Sequence, residues 1–168
     1  MENIVLLDEY KEMHEKGFFQ GFSILDHVGD IKDLVEAYNP TGLLDYGCGQ
    51  GLQYSQRRVH EYWGGLMPHL YDPASKHHNK LPAFPVDGVI CTDVAEHVPE
   101  EELEDFLKEI FRYAKKFVFM TVCTRPAKKT LPNGMNAHVT VKDEDWWLKK
   151  INEAHEDKKI YLKVNFVV

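Results

Sequence analysis

The sequence predicts an α/β fold, a doubly wound and mostly parallel sheet with helices on both faces. Three observations carry that expectation. Short β-branched and aromatic runs alternate along the chain with segments of helical periodicity, the pattern of a parallel sheet covered on both sides. The apolar pair Leu43-Leu44 leads into a turn with glycine at every second position, Gly47, Gly49 and Gly51. The 168 residues hold no repeat, low-complexity tract or Gly/Ser linker, so one domain is expected, with amino-terminal helices over 1–40 and the sheet over 41–168.

Taken in order, Ile4 to Lys16 reads as a short helix stopped at Gly17. Ile24, Val28, Ile31, Leu34, Val35 and Tyr38 recur at helical spacing, and Asn39-Pro40 ends that helix, since the residue before proline is pushed out of the helical region. Leu43-Leu44 is a buried strand, and Leu52 to Tyr62 a helix of looser pattern. Leu70 to Asp72 reads as a strand closed by Pro73, and Val86 to Thr92 as a clearer one. Pro99 at a first helical position, the acids Glu100 to Glu102, then Leu103, Phe106, Leu107, Ile110, Phe111 and Ala114 form the best-patterned helix. Phe117 to Val122 is a strand and Asp143 to Glu156 a helix. Ile160 to Val168 alternates as a strand, with Tyr161, Lys163 and Asn165 on one side.

Composition narrows the function classes. Hydrophobic residues make up 43% and charged residues 28%, ordinary for a soluble globular chain. No apolar run approaches the roughly 20 residues needed to cross a bilayer. Met1-Glu2-Asn3 also lacks the basic-then-apolar pattern of a secretory signal, so a cytoplasmic protein without a membrane partner is expected. Cys48, Cys91 and Cys123 are odd in number and widely spaced, which suits reduced thiols rather than a disulfide framework or a zinc site. A net charge of −7, with Arg125, Lys128 and Lys129 as the densest basic stretch, argues against a nucleic-acid groove and for a small-molecule, glycan or protein substrate.

The chemistry concentrates in Asp45-Tyr46-Gly47-Cys48-Gly49-Gln50-Gly51. Glycines after a buried strand permit positive φ and close approach of a ligand to the backbone, and ligands of parallel sheets sit beyond the strands' carboxyl ends. The dinucleotide fingerprint is Gly-x-Gly-x-x-Gly, whereas here the third glycine comes one residue early. A carboxylate at Asp45 would also repel a pyrophosphate, and it suits a cationic ligand such as a sulfonium carrying an α-amino group. Asp72, about one βα unit later, stands where an acid commonly accepts from two ribose hydroxyls; alone it would be a turn-forming Asp before Pro73.

Together, Asp45-x-Gly47-x-Gly49-x-Gly51, Asp72, and Asp87-Gly-Val-Ile-Cys-Thr-Asp-Val-Ala-Glu-His97-Val-Pro99 resemble the class I S-adenosylmethionine-dependent methyltransferases, especially their small-molecule branch, over Leu43 to about Val122. The resemblance implies a Rossmann-like fold with S-adenosylmethionine as cofactor. Asp45 and the backbone of Gly47, Cys48 and Gly49 would hold its methionine end, Tyr46 and Gly51 completing the loop, and Asp72 would hold the ribose. Thr92, Asp93 and Val94 would lie under the donor, beside the methyl group. The implied activity is methyl transfer to an O or N atom of a small molecule or glycan; the alternative is a degenerate S-adenosylmethionine-binding protein with an interaction or regulatory role. A nucleotide-binding oxidoreductase is disfavoured by the early third glycine.

One departure from that family bears on the sheet. Only 14 residues, Pro73 to Val86, separate Asp72 from Asp87, too few for the helix, strand and helix usual there. One edge strand is therefore expected to be missing, with Pro73–Pro85 irregular, the Asn79–Phe84 loop or a partner completing the pocket, and a bare strand edge that invites a homodimer.

On the acceptor side, Thr92-Asp93-Val94-Ala95 replaces the Asp/Asn-Pro-Pro-Tyr of base-amine methylation, and no Pro-Cys nucleophile is present. Leu131 to Trp147 is the expected acceptor segment. After the Asn133-Gly134 turn it offers Asn136, His138 and Trp146 to the substrate, with Trp147 and Leu148 read as helix core. His138 is the candidate general base or orienting group, with Asp93 beside it, since imidazole titrates near 6.5; the competing role is a turn held by ring-to-backbone bonding. His97 is a candidate substrate ligand; the competing role of Glu96-His97 is a turn fixed by capping and packing. No metal is expected, because His69, His77 and His78 read as loop histidines without an accompanying cluster. Tyr10, Phe18, Phe19 and Phe22 suit either a lid or core.

Overall fold

The computed structural model describes residues 2–168. Its elements are α1 (Glu2–Glu15), α2 (Val28–Tyr38), β1 (Leu43–Tyr46), α3 (Leu52–Ser55), β2 (His69–Tyr71), β3 (Val86–Thr92), α4 (Leu103–Tyr113), β4 (Ala114–Cys123), α5 (Glu144–Ala154) and β5 (Tyr161–Val167). The five strands form one sheet in the order β2-β1-β3-β4-β5, and every pairing is parallel. The expected Rossmann-like, doubly wound sheet is therefore present. The chain leaves β1 in one direction to reach β2 and in the other to build β3, β4 and β5, which puts the topological switch point between β1 and β3.

Side chains alternate across the strands, so each strand feeds two cores. Leu43, Ile90, Phe117 and Phe119 face Ile31 and Leu34 of α2, together with Tyr54, Val59 and Trp63. Leu44, Val89, Cys91, Val118, Met120 and Val122 face Leu103, Leu107 and Ile110 of α4 and Trp147 and Ile151 of α5. A smaller third cluster ties Met13 of α1 to Leu131 and Ala137. β5 closes the far edge, where Lys163 and Asn165, on one side as expected, both bind the Asp30 carboxylate of α2 at 2.6 and 2.8 Å. No helix among the described residues is long and apolar enough to cross a membrane, and the three cysteines are buried and free.

Several boundaries differ from expectation for local reasons. The helix expected over Leu52–Tyr62 breaks after one turn because Arg58 turns left-handed at φ 50; a 3-10 turn, Val59–Trp63, follows. Pro99 sits in extended backbone ahead of a 3-10 turn at Glu100–Glu102, so α4 proper starts at Leu103. β4 begins at Ala114, directly from α4, rather than at Phe117.

The shortened middle behaves as its length demands. No helix or strand occurs over 73–85, and β2 is the edge strand. Its outer side is partly capped by its own exit loop: the Asp72 N–H donates to the His78 carbonyl at 2.8 Å, and the His69 ring bonds the Lys80 carbonyl at 2.7 Å.

Gly88 is required by packing. A Cβ there would stand 2.2 to 2.7 Å from three atoms of the Phe117 ring, which is fully buried. Gly88→Ala should cost about 1–3 kcal/mol through overpacking, read as a lower urea midpoint at unchanged m-value. Adding Phe117→Leu should recover part of the loss; an alanine variant as stable as the parent would contradict this packing.

Candidate functional site

A cleft of about 1120 Å³ opens over the carboxyl ends of the strands. Tyr46, Gly47 and Gly49 line it from the β1 exit, Asp72 to Ala74 from β2, Thr92 to Val94 from β3, and Cys123 and Val167 from β4 and β5. This is where a doubly wound sheet binds ligands, at its switch point. Its remaining walls are the amino-terminal segment, including Tyr10, His14 and Phe19, and the stretch from Arg125 to Lys129 with Ala137 and His138. Tyr10, Phe18, Phe19 and Phe22 thus face the cleft, while the Asn79–Phe84 loop is not among the lining residues.

The glycine loop is held by its own hydrogen bonds. Gly47 and Cys48 donate to the Tyr71 carbonyl, Gly49 to the Asp72 carboxylate at 2.9 Å, and Gly51 to the Cys48 carbonyl. Gln50, Leu52 and Gln53 donate to the carbonyls of Phe19, Gln20 and Gly21. Every N–H from Gly47 to Gln53 is consequently engaged inside the protein, and the loop presents no free amide nest to a phosphate. Gly47 adopts φ 87, and a Cβ there would meet Val94 at 2.2 Å, so the β1 and β3 exits touch through this glycine.

The two acids of this region take different places. Asp45 lies beneath the loop, 1% exposed, accepting from Gln53 Nε2 at 3.0 Å and the Tyr54 hydroxyl at 2.8 Å. Burial raises its carboxyl to about 7 against those two bonds. Asp72 lines the cleft, accepts from Gly49 and Ala74 N–H, and stands 3.6 Å from His14 Nε2. Burial raises Asp72, with His14 opposing, and burial lowers His14, with Asp72 opposing.

Beyond β3, Thr92 Oγ1 bonds Ser23 Oγ at 2.6 Å. Asp93 holds φ 54, a left-handed value rare outside glycine and a mark of local strain. Its N–H donates to Thr121, and the Thr121 hydroxyl donates back to its carboxylate at 2.7 Å. Glu96 is fully buried; Oε1 accepts the Cys123 N–H at 3.0 Å and Oε2 has no partner among the described residues. Burial, then the neighbouring Asp93, push its carboxyl up to about 8. His97 bonds the Ala137 carbonyl through Nδ1 at 2.7 Å, and burial, then His138, lower it to about 4. His138 bonds the Arg125 carbonyl through Nδ1 at 2.7 Å, its ring edge-on to His97 with centroids 4.9 Å apart. Donor atoms of Glu96, His97 and His138 lie within 4.8 Å of one another.

Of the residues singled out in the sequence, Tyr46, Gly47, Gly49, Asp72, Thr92, Asp93, Val94, His97 and His138 line one cleft. Asp45, Cys48 and Gly51 lie outside the lining: Asp45 supports the loop from below, Cys48 is buried against it, and Gly51 packs on Leu70 and His78. Asn136 and Trp146 also lie outside it. Asn136 clamps Ala127 through both its N–H and carbonyl, at 2.9 Å each. Trp146 sits on α5, edge-on to buried Trp147 and beneath Lys142 and Lys150, because α5 covers a sheet face instead of overhanging the cleft. Glu96 and His14 were not anticipated as members of this site. The chain matches no protein-family model, and neither curated sequences nor solved structures give a significant match.

A carboxyl raised from 3.8 to about 7 on folding leaves the native state binding more protons than the unfolded chain. The stability it contributes is full below about pH 4 and is lost as pH rises through 7. Asp45→Asn keeps an acceptor for Gln53 and Tyr54 but cannot ionise. The variant should gain on the parent by on the order of 1–4 kcal/mol between pH 5 and 8, seen as a Tm difference that widens with pH. A gap independent of pH would show that Asp45 does not titrate in this window.

Proposed function

We propose that the cleft binds S-adenosylmethionine and that the protein transfers its methyl group to an O or N atom of a small molecule or glycan. The observation that carries this reading is the glycine loop whose amides are all engaged internally, beside a carboxylate, Asp72, at the end of the next strand. A dinucleotide needs free amides for its pyrophosphate; a cofactor with a sulfonium and an ammonium group needs acids and a close backbone instead. Besides the buried Glu96, the lining supplies Asp72, Asp93, Glu102, Asp105 and Glu109 against Arg125, Lys128 and Lys129. That balance suits a cation, so the residues present fit the group.

In this reading Asp72 accepts from the ribose hydroxyls, and Gly47, Gly49 and Val94 allow the donor to lie close to the backbone. Bound, S-adenosylmethionine supplies an electrophilic methyl group. The protein's share is to align the acceptor in line with it, exclude water and take up one proton. Asp93, His97 and His138 are the groups for the acceptor end. Each ring donates Nδ1–H to a backbone carbonyl, which leaves Nε2 as a lone-pair acceptor turned to other partners. The alternative, binding without transfer, keeps the cofactor site and gives up only this last step.

Calorimetric titration with S-adenosylmethionine and, separately, NAD tests the proposal. The first should bind and the second should not. Asp72→Asn should weaken binding about tenfold or more, the value of a charge-assisted hydrogen bond of roughly 1.5 kcal/mol, with Tm followed as the control for folding. No heat from S-adenosylmethionine at millimolar concentration would remove the reading altogether.

A further inference from the structure

We propose that Glu96, His97 and His138 form a binding site for one divalent transition-metal ion of the zinc, iron or manganese class, on the wall of the cleft. The inference begins with a shortage of protons. A backbone carbonyl can only accept, so the 2.7 Å bonds from His97 Nδ1 to Ala137 O and from His138 Nδ1 to Arg125 O put the proton of each ring on Nδ1. Each Nε2 therefore carries a lone pair, and neither has a protein hydrogen-bond partner among the described residues. The third group is the fully buried Glu96 carboxylate, whose Oε2 is unpartnered. Each of the three residues places a ligating atom within 4.8 Å of the other two, and with Glu96 ionised none of the unpartnered atoms is a donor. A buried oxygen left in that state costs free energy unless a proton or a cation satisfies it.

The surroundings are those of a ligand set. Imidazoles that bind metals donate their other N–H to a carbonyl or carboxylate, which fixes ring orientation and raises basicity, and both rings do this. The remaining Glu96 oxygen is pinned by the Cys123 N–H at 3.0 Å, which ties the carboxylate to the end of β4. The Tyr10 hydroxyl donates to the carbonyls of Ala137 and His97, at 2.7 and 3.2 Å, and so braces the Ala137 carbonyl that holds the His97 ring. Around a tetrahedral ion at about 2.0–2.2 Å, donors are separated by about 3.3 Å. The ligating atoms, within 4.8 Å of one another, would draw together on an ion.

Two imidazoles and one carboxylate are a borderline donor set that suits zinc, iron or manganese better than calcium or magnesium. Three protein ligands leave coordination positions open, and all three residues line the cleft, so the open positions face whatever occupies it. This goes beyond the transfer reading and does not depend on it. Where that reading asks His97 and His138 to orient the acceptor, an ion between them would do so through an acceptor oxygen.

The test uses tag-free, chelator-stripped protein titrated with Co²⁺, whose visible absorption reports inner-sphere nitrogen and oxygen ligands, with bound Zn²⁺ counted by elemental analysis after dialysis. One equivalent per chain is expected. His138→Gln and, separately, Glu96→Gln should each weaken binding by about a hundredfold or more, the upper end of what loss of an outer-shell partner alone costs. The double variant His77→Ala/His78→Ala, away from the cluster, should leave it unchanged. Circular dichroism establishes that each variant is folded; where one is not, the other carries the test. A chain that binds no Co²⁺ at about 100 μM Co²⁺, or one whose binding follows His77 and His78, overturns the proposal. Neither result touches the cofactor titration, which contains no metal.

Discussion

Seven consecutive backbone N–H groups, Gly47 to Gln53, lie where a buried strand has ended and a helix has barely begun, and each must find an acceptor. The acceptors come from three separate places: the Tyr71 carbonyl and Asp72 at the end of β2, Cys48 within the loop, and the carbonyls of Phe19, Gln20 and Gly21 ahead of α2. That requirement organises the ligand-binding end of the molecule. It draws the amino-terminal segment across the carboxyl ends of the strands and aligns β2 beside β1. It also explains two tight glycines, since a Cβ on Gly21 would stand 2.2 Å from the Cys48 carbonyl and one on Gly49 would stand 2.7 Å from the Phe19 carbonyl.

The same requirement separates the acids. Asp45 lies under the loop, and its carboxylate serves Gln53 and Tyr54, the residues that begin the short helix. Asp72 lies at the loop's outer side, where one oxygen takes the Gly49 N–H and the residue still lines the cleft. Identical side chains thus have different chemistry, set by which side of seven amides they occupy. Burial raises both carboxyls; below the loop Gln53 and Tyr54 oppose it, and beside the loop His14 and the Ala74 and Gly49 N–H groups do.

How much of this was legible follows from the kind of signal each feature leaves. Periodicity and turn chemistry marked every strand and the long helices, because a side chain's alternation between two cores is written into its own neighbours. Length alone marked the irregular stretch from Pro73 to Pro85. Features that depend on a distant backbone left no trace. The unpartnered Glu96 oxygen exists because the other oxygen is taken by an amide 27 residues away, at Cys123. Asn136 looked like an acceptor-side amide and is a clamp for Ala127, while Trp146 follows α5 onto a sheet face. Both belong to or follow the aperiodic stretch after β4, whose path no local pattern dictates. His138 shares that stretch and does reach the cleft, through a carbonyl bond from Arg125 that the sequence could not reveal.

The short, irregular connection after β2 has its largest consequence at α1. In a sheet carrying one more strand beyond β2, the connections on that side could wall the cleft; here Leu6, Leu7, Tyr10 and His14 do so instead. Among the residues of α1 whose side chains are described, only Met13 is buried as core, and the ion pairs that tether it, Lys76 to Glu15 and His14 to Asp72, involve one exposed pair and one histidine lowered by burial. Exposed pairs contribute little, about 0–1 kcal/mol. The strand exits, by contrast, are fixed by the sheet and by the loop amides. The α1 wall carries Tyr10, whose hydroxyl donates to the carbonyls of His97 and Ala137. One helix thus reaches both ends of the cleft, Asp72 through His14 and, through Tyr10, the Ala137 carbonyl that holds the His97 ring.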